Sequence, residues 1–250
     1  MKFIENVYYA GVEHPKRALD VYLPDCEKFP VLIYFHGGGI TGGDKKMKFI
    51  PWLQQQGIAV VSANYRLYPD AAYPEFIKDA AAAVKWAIKN MAQYGEVTGY
   101  FVGGSSAGGY LTQMLCFDKK YLKLYGVDAD TITGYIMDAG QPTVHFNVLV
   151  ERGLDKRRIL IDEAAPLYHI SDDRVYPPML IINAEHEMVN RPEQTQLLLK
   201  TLEHFKHDMS RVDFRVVPGH KHYGYVSTVE EDGSSIFGQL ALEFINKYAK

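Results

Sequence analysis

The sequence predicts an α/β protein built on a mostly parallel, doubly wound sheet of about eight strands with helices on both faces. Three observations carry this. Runs such as Val31–Phe35 and Met179–Asn183 are apolar without alternation, as strands covered on both faces are. Between the later runs lie segments whose apolar residues recur at helical spacing. Finally, no repeat, low-complexity tract or linker divides the 250 residues, 47% of them hydrophobic, so a single domain spanning 1–250 is expected.

Each element has its own signal. Lys2 to Ala10 and Ala18 to Leu23, separated by Gly11 and His14-Pro15, read as an antiparallel pair at a sheet edge. Val31–Phe35 follows Pro30 and ends at His36-Gly37-Gly38-Gly39. A helix is expected from Met47 to Gln56 and a second buried strand over Ile58–Tyr65. After Pro74, the spacing of Phe76, Ala80, Ala83, Val84, Ala87 and Ile88, with the helix preference of alanine, predicts a helix over Glu75–Asn90. Val97–Val102, Ile132–Met137, Met179–Asn183 and Phe214–Val217 read as further strands. A helix over Arg191–His207 offers Leu197, Leu198 and Leu202 to the sheet, and a closing helix runs through Phe237, Phe244 and Ile245. Residues 141–170 interrupt the alternation with mixed apolar and charged positions, and read either as a small lid on the ligand side or as an ordinary crossover with one longer helix.

Composition narrows the partners. A formal net charge of −3 with interspersed signs makes no basic stripe, which argues against nucleic acid and anionic membrane surfaces and for a small-molecule ligand. The first ten residues lack the unbroken apolar core of an export signal, and no run reaches transmembrane length, so a cytoplasmic protein is expected. Cys26 and Cys116 are far apart and in no metal-binding spacing, which points to reduced thiols. No cofactor and no metal are called for. A homodimer is compatible with the sequence, which does not fix the oligomeric state.

The chemistry centres on Gly104-Ser105-Ser106-Ala107-Gly108, which follows Tyr100-Phe101-Val102 and precedes a helix-compatible segment. The G-x-S-x-G pattern between strand and helix makes Ser106 the candidate nucleophile. Acyl transfer also needs a base, an acid that orients it, and N–H donors for the developing oxyanion. His36-Gly37-Gly38-Gly39, at the end of a buried strand, can present unobstructed backbone N–H groups, with His36 itself structural.

These motifs, together with Tyr65-Arg66-Leu67, Tyr73-Pro74 and Asp79, resemble the α/β-hydrolase superfamily. Within it the chain looks like the HGGG-type esterase/lipase group, the carboxylesterases and acetyl esterases similar to hormone-sensitive lipase. The likeness runs from about Phe29 through His222. It implies oxyanion donors at Gly38, Gly39 and Ala107. It places the acid in the turn Ala184-Glu185-His186-Glu187, at Glu187 with Glu185 as competitor, where the group more commonly carries aspartate. It places the base in Pro218-Gly219-His220-Lys221-His222, at His222 with His220 as alternative. The order Ser106, Glu187, His222 is the order this fold shows.

The resulting expectation is a serine hydrolase acting through an acyl-enzyme on short-acyl esters, with deacetylation of sugars or oligosaccharides the preferred specialisation. Two alternatives stand beside it: an aryl formamidase acting on an N-formylkynurenine-type amide, and a non-catalytic binding protein on the same fold. Arg66 and Asp79 read as a structural ion pair. His204 and His207, three apart on an expected exposed helix, lack the partners of a metal site. Tyr68, Tyr110, Phe146, Tyr168, Tyr223 and Tyr225 are expected near the ligand side.

Overall fold

Eight strands form one sheet in the order β1-β2-β4-β3-β5-β6-β7-β8 in the computed structural model, which describes residues 1–250. β1 (Lys2–Tyr8) and β2 (Ala18–Leu23) make the antiparallel edge, and β2 also runs against β4 (Ala59–Ala63). From β4 onward every pairing is parallel, through β3 (Lys28–Phe35), β5 (Glu96–Ser105), β6 (Gly134–Asp138), β7 (Met179–His186) and β8 (Val212–Lys221). The fold is that of an α/β-hydrolase-type doubly wound sheet.

Alternate residues of the central strands feed two cores. Val31, Ile33 and Phe35 of β3 face one layer, with α2 (Glu75–Asn90), α3 (Ala107–Phe117) and α6 (Arg191–His204) packed over it. Leu32 and Tyr34 face the other, covered by α1 (Ile50–Gln55) and α8 (Ile236–Tyr248). Both cores explain why these runs lack polar alternation. α2 buries Phe76, Ala80, Ala83, Val84 and Ala87, as its spacing predicts, and Ile77 with them, while Ile88 is half-buried. Asp79 on the same helix is buried too, held by Arg66 Nε at 2.7 Å and Arg17 Nε at 3.2 Å. α8 starts at Ser235, whose hydroxyl accepts the Gly238 N–H at 3.0 Å, a cap of the kind that satisfies a free helix-end donor.

Some expectations are corrected. The last strand continues through Pro218 to Lys221, because β8 is the sheet edge, where a residue without an N–H breaks no ladder bond on its open side. Of the aromatic residues expected near the ligand side, Tyr110 and Tyr225 are fully buried, their hydroxyls bonded to internal acceptors, the Ala164 carbonyl and the Asp138 carboxylate. His207 lies beyond the end of α6 and is buried against Tyr176. Between β6 and β7, α4 (Lys120–Lys123) having preceded β6, the 141–170 stretch contains one short helix, α5 (Phe146–Glu151), and a turn of 3-10 helix at Pro166–His169. Cys26 is exposed, Cys116 buried, and both are free thiols. No helix is long and apolar enough to cross a membrane.

Candidate active site

Ser106 sits between β5 and α3 with φ 56° and ψ −111°, a conformation that costs a non-glycine residue about 1–3 kcal/mol. Close packing imposes it. A Cβ on Gly104 would stand 2.6 Å from the Gly108 carbonyl, and one on Gly108 would stand 1.9 Å from the Phe35 oxygen, so only glycines let the turn press against the end of β3. The Ser106 N–H donates to the Asp138 carbonyl at 2.8 Å, which leaves Oγ pointing out of the turn.

Beside it lies the glycine loop that follows β3. His36 is buried, contacts the Gly37 carbonyl through Nδ1 at 2.7 Å, and stacks on Tyr65 with ring centres 4.6 Å apart. Burial lowers its pKa to about 4, so the ring is neutral and part of the scaffold. Gly38 has φ +114°, and a Cβ there would meet the Gly42 carbonyl at 2.2 Å. The N–H groups of Gly38, Gly39 and Ala107 find no acceptor within the chain. That of Ala107 is at the first turn of α3, where helix N–H groups are unpaired.

His222 follows β8 and is partly open to solvent. Its Nε2 lies 2.9 Å from Ser106 Oγ, and its Nδ1 is hydrogen-bonded to Glu187 Oε1. The Glu187 side chain is fully buried; its oxygens also take the Met188 N–H at 2.8 Å and the Ala184 N–H at 3.4 Å. Burial on its own raises this carboxyl, but the hydrogen bond and charge of His222, the Met188 N–H and the Arg191 charge outweigh it and leave the pKa below the usual glutamate range. Glu185 points elsewhere, accepting the Gly219 N–H at 2.7 Å, and His220 lies against the Tyr225 ring.

Ser106, His222 and Glu187 thus form one hydrogen-bonded chain that opens on a cleft of about 400 Å³, lined by Gly38 and Gly39 and by the larger side chains of Phe146, Met188 and Tyr223. A hydroxyl bonded to a neutral imidazole whose far nitrogen is held by a carboxylate can be deprotonated as it attacks. Three contributors escaped the sequence reading. Asn147 on α5 donates from Nδ2 to the Gly39 carbonyl, the buried Arg191 donates to the Ala139 carbonyl, and Asp138 joins the elbow to Tyr225. The only sequence sign of Asp138 was a charge at the end of an apolar strand.

The fold and this hydrogen-bonded chain define the α/β-hydrolase class. Solved structures similar over nearly the whole chain include esterase B from Lactobacillus rhamnosis (TM-score 0.79, 20% identity, 99% of this chain and 84% of that one). A truncated carbohydrate esterase from gut microbiota superposes with a TM-score of 0.81 at 19% identity, covering 99% and 96%. In sequence, 236 residues are 26% identical to Esterase LipC of Mycobacterium tuberculosis, covering 84% of this chain and 57% of that protein. The tuliposide A-converting enzyme b1 of Tulipa gesneriana is 33% identical over 111 residues, 37% of this chain. The match spans 30% of the length of the tulip protein. Residues 19–151, a little over half of the chain, match the family BD-FAE, an α/β-hydrolase esterase family, and the chain belongs to it.

Proposed function

We propose that the protein is a serine carboxylic ester hydrolase with Ser106 as nucleophile, His222 as base and Glu187 as the acid that orients it. The observation that carries this reading is the continuous Glu187–His222–Ser106 hydrogen-bonded chain ending beside unpaired glycine-loop N–H groups. In the reaction Ser106 Oγ bonds to the ester carbonyl carbon as its proton passes to His222 Nε2. The N–H groups of Gly38, Gly39 and Ala107 take the developing oxyanion, and Glu187 steadies the imidazolium. Collapse breaks the bond to the alcohol, which leaves with the proton from His222. Water then attacks the acyl-Ser106 carbonyl, giving its proton to His222, and the carboxylic acid departs as Ser106 regains its hydrogen.

The finer reading is a short-acyl ester, with an acetylated sugar or oligosaccharide as the preferred substrate. Support comes from the modest volume of the cleft and the larger side chains that line it, and from the neighbour described as a carbohydrate esterase. A single catalytic domain over 1–250, with 141–170 as a flap that brings Phe146 to the cleft wall, belongs to the same proposal, as does a cytoplasmic setting.

The test pairs covalent labelling with a substrate series. A fluorophosphonate probe is expected to label the wild type at Ser106 and to leave Ser106→Ala unlabelled. Nitrophenyl esters from acetate to long chains should be hydrolysed best at the short end, with turnover of acetylated xylo-oligosaccharide alongside. Turnover confined to N-formylkynurenine would replace the ester reading with a formamidase, and absence of labelling with no turnover would leave a binding protein.

A further inference from the structure

Asp138 carries buried chemistry that the mechanism above leaves unused. It closes β6 opposite Ser105 of β5 and is fully buried. Its main chain and side chain hold different parts of the cleft. The carbonyl accepts the Ser106 N–H at 2.8 Å, Oδ1 accepts the Tyr225 hydroxyl, and Oδ2 has no hydrogen-bond partner. Tyr225 lies on α7 (Gly224–Ser227), just beyond His222, and is itself buried. One residue therefore joins the elbow that carries Ser106 to the turn that carries His222. Its neighbour Ala139 fastens the remaining loop: the N–H donates to the Ile182 carbonyl of β7 at 2.8 Å, and the carbonyl accepts from Arg191 at the start of α6.

An ionisable side chain is a costly choice for a simple brace, since a buried amide could accept the same hydroxyl bond without the desolvation of a charge. The groups facing the carboxyl are Tyr34 from β3, Ser105 from β5, Glu187 from the turn after β7, and His222, Tyr223 and Tyr225 around α7. His222 is the one basic group among them. Burial raises the Asp138 pKa to about 7; the nearby Ser105 hydroxyl, the Tyr225 hydrogen bond and the His222 charge pull the other way, while Glu187 repels. Where it is ionised, this carboxylate and a protonated His222 attract one another across the core.

We propose that Asp138 is a positioning residue for the reaction: through Tyr225 it sets the His222 turn relative to Ser106, and its negative charge favours the imidazolium that forms as Ser106 attacks. This rests on the ester-hydrolase reading above. As His222 takes the Ser106 proton, two carboxylates share the stabilisation of the new positive charge: Glu187 through direct contact with Nδ1, and Asp138 through the field inside the core.

Asp138→Asn keeps the shape and an acceptor for Tyr225 but removes the charge. With nitrophenyl acetate, kcat is expected to fall about 10-fold or more with KM little changed. The acid limb of kcat/KM is expected to move to lower pH by on the order of half a unit, because the variant lacks the carboxyl that takes up a proton as pH falls through about 7 and with it loses the anion that favours the imidazolium. A variant with the kcat and acid limb of the wild type overturns the proposal. So does one that only melts earlier while its acid limb stays in place, the signature of a purely structural role. Should Asp138→Asn not fold, Tyr225→Phe decides: a similar fall in kcat at unchanged KM supports the proposal, and wild-type kcat overturns it. Fluorophosphonate labelling of the wild type separates the two levels. An unlabelled wild type removes the ester-hydrolase reading and this proposal together, whereas a labelled wild type with an unperturbed Asp138→Asn removes only the role of Asp138.

Discussion

Two glutamates two positions apart meet different fates, and the difference is a matter of where β7 stops. Side chains two apart on a strand share a face, so Glu185 and Glu187 would point the same way if the strand ran on. It ends at His186, and the chain swings Glu187 inward to His222 while Glu185 reaches out to the Gly219 N–H. Replacing each by its amide should therefore separate them: Glu187→Gln is expected to cost about 10²–10⁴-fold in kcat, since an amide no longer enforces the tautomer or steadies the charge. Glu185→Gln should stay near wild-type turnover; an equal loss at both positions would refute the assignment. The sequence left this pair open because the residue at which a strand gives way to a turn is not written in the spacing of two identical side chains. Asp138 was hidden for a related reason: a lone acid after Tyr135-Ile136-Met137 makes no pattern, and its partner Tyr225 lies far along the chain.

At the scale of elements, the turn from β5 into α3 depends on how closely it approaches β3. Gly108→Ala would set a methyl carbon 1.9 Å from the Phe35 oxygen, a clash with backbone that no rotamer relieves. A loss at the upper end of about 1–3 kcal/mol is expected, visible as a fall in melting temperature of about 5–10 °C together with weaker labelling of Ser106. Unchanged melting would mean the turn has room that these distances deny. The glycine loop is braced from the opposite side by Asn147 of α5, so the 141–170 stretch contacts the cleft through a polar grip as well as the Phe146 ring. Most strands were legible from their unbroken apolar runs, because burial on both faces leaves no place for polar alternation. The end of β8 was not, since Pro218 reads as a strand terminator until the neighbouring position in the sheet is known to be empty.

For the molecule as a whole, buried histidines couple stability to pH. Burial lowers His36 to about 4 and His145 to about 3, against about 6.5 in an unfolded chain. Between those values the unfolded state binds more protons at both sites, so stability falls as pH drops from about 6.5 toward 4. Asp138, raised to about 7 by burial, binds its proton more readily when folded and opposes one of the two. For these three groups the slope is about 1.4 kcal/mol per pH unit. Urea midpoints are expected to decline across that range, and His36→Gln combined with His145→Gln should remove the decline and leave Asp138 to turn it the other way; an unaltered slope in the double variant would show that other groups dominate. Lys2 pairs with Leu23 at the end of β2 away from the cleft, and the Lys250 N–H donates to the Thr98 carbonyl near the start of β5. Both ends of the chain therefore lie at the rim of the sheet opposite Ser106, so a bead, a chip or a fused cellulose-binding module can be tethered at either without shading the mouth through which substrate enters.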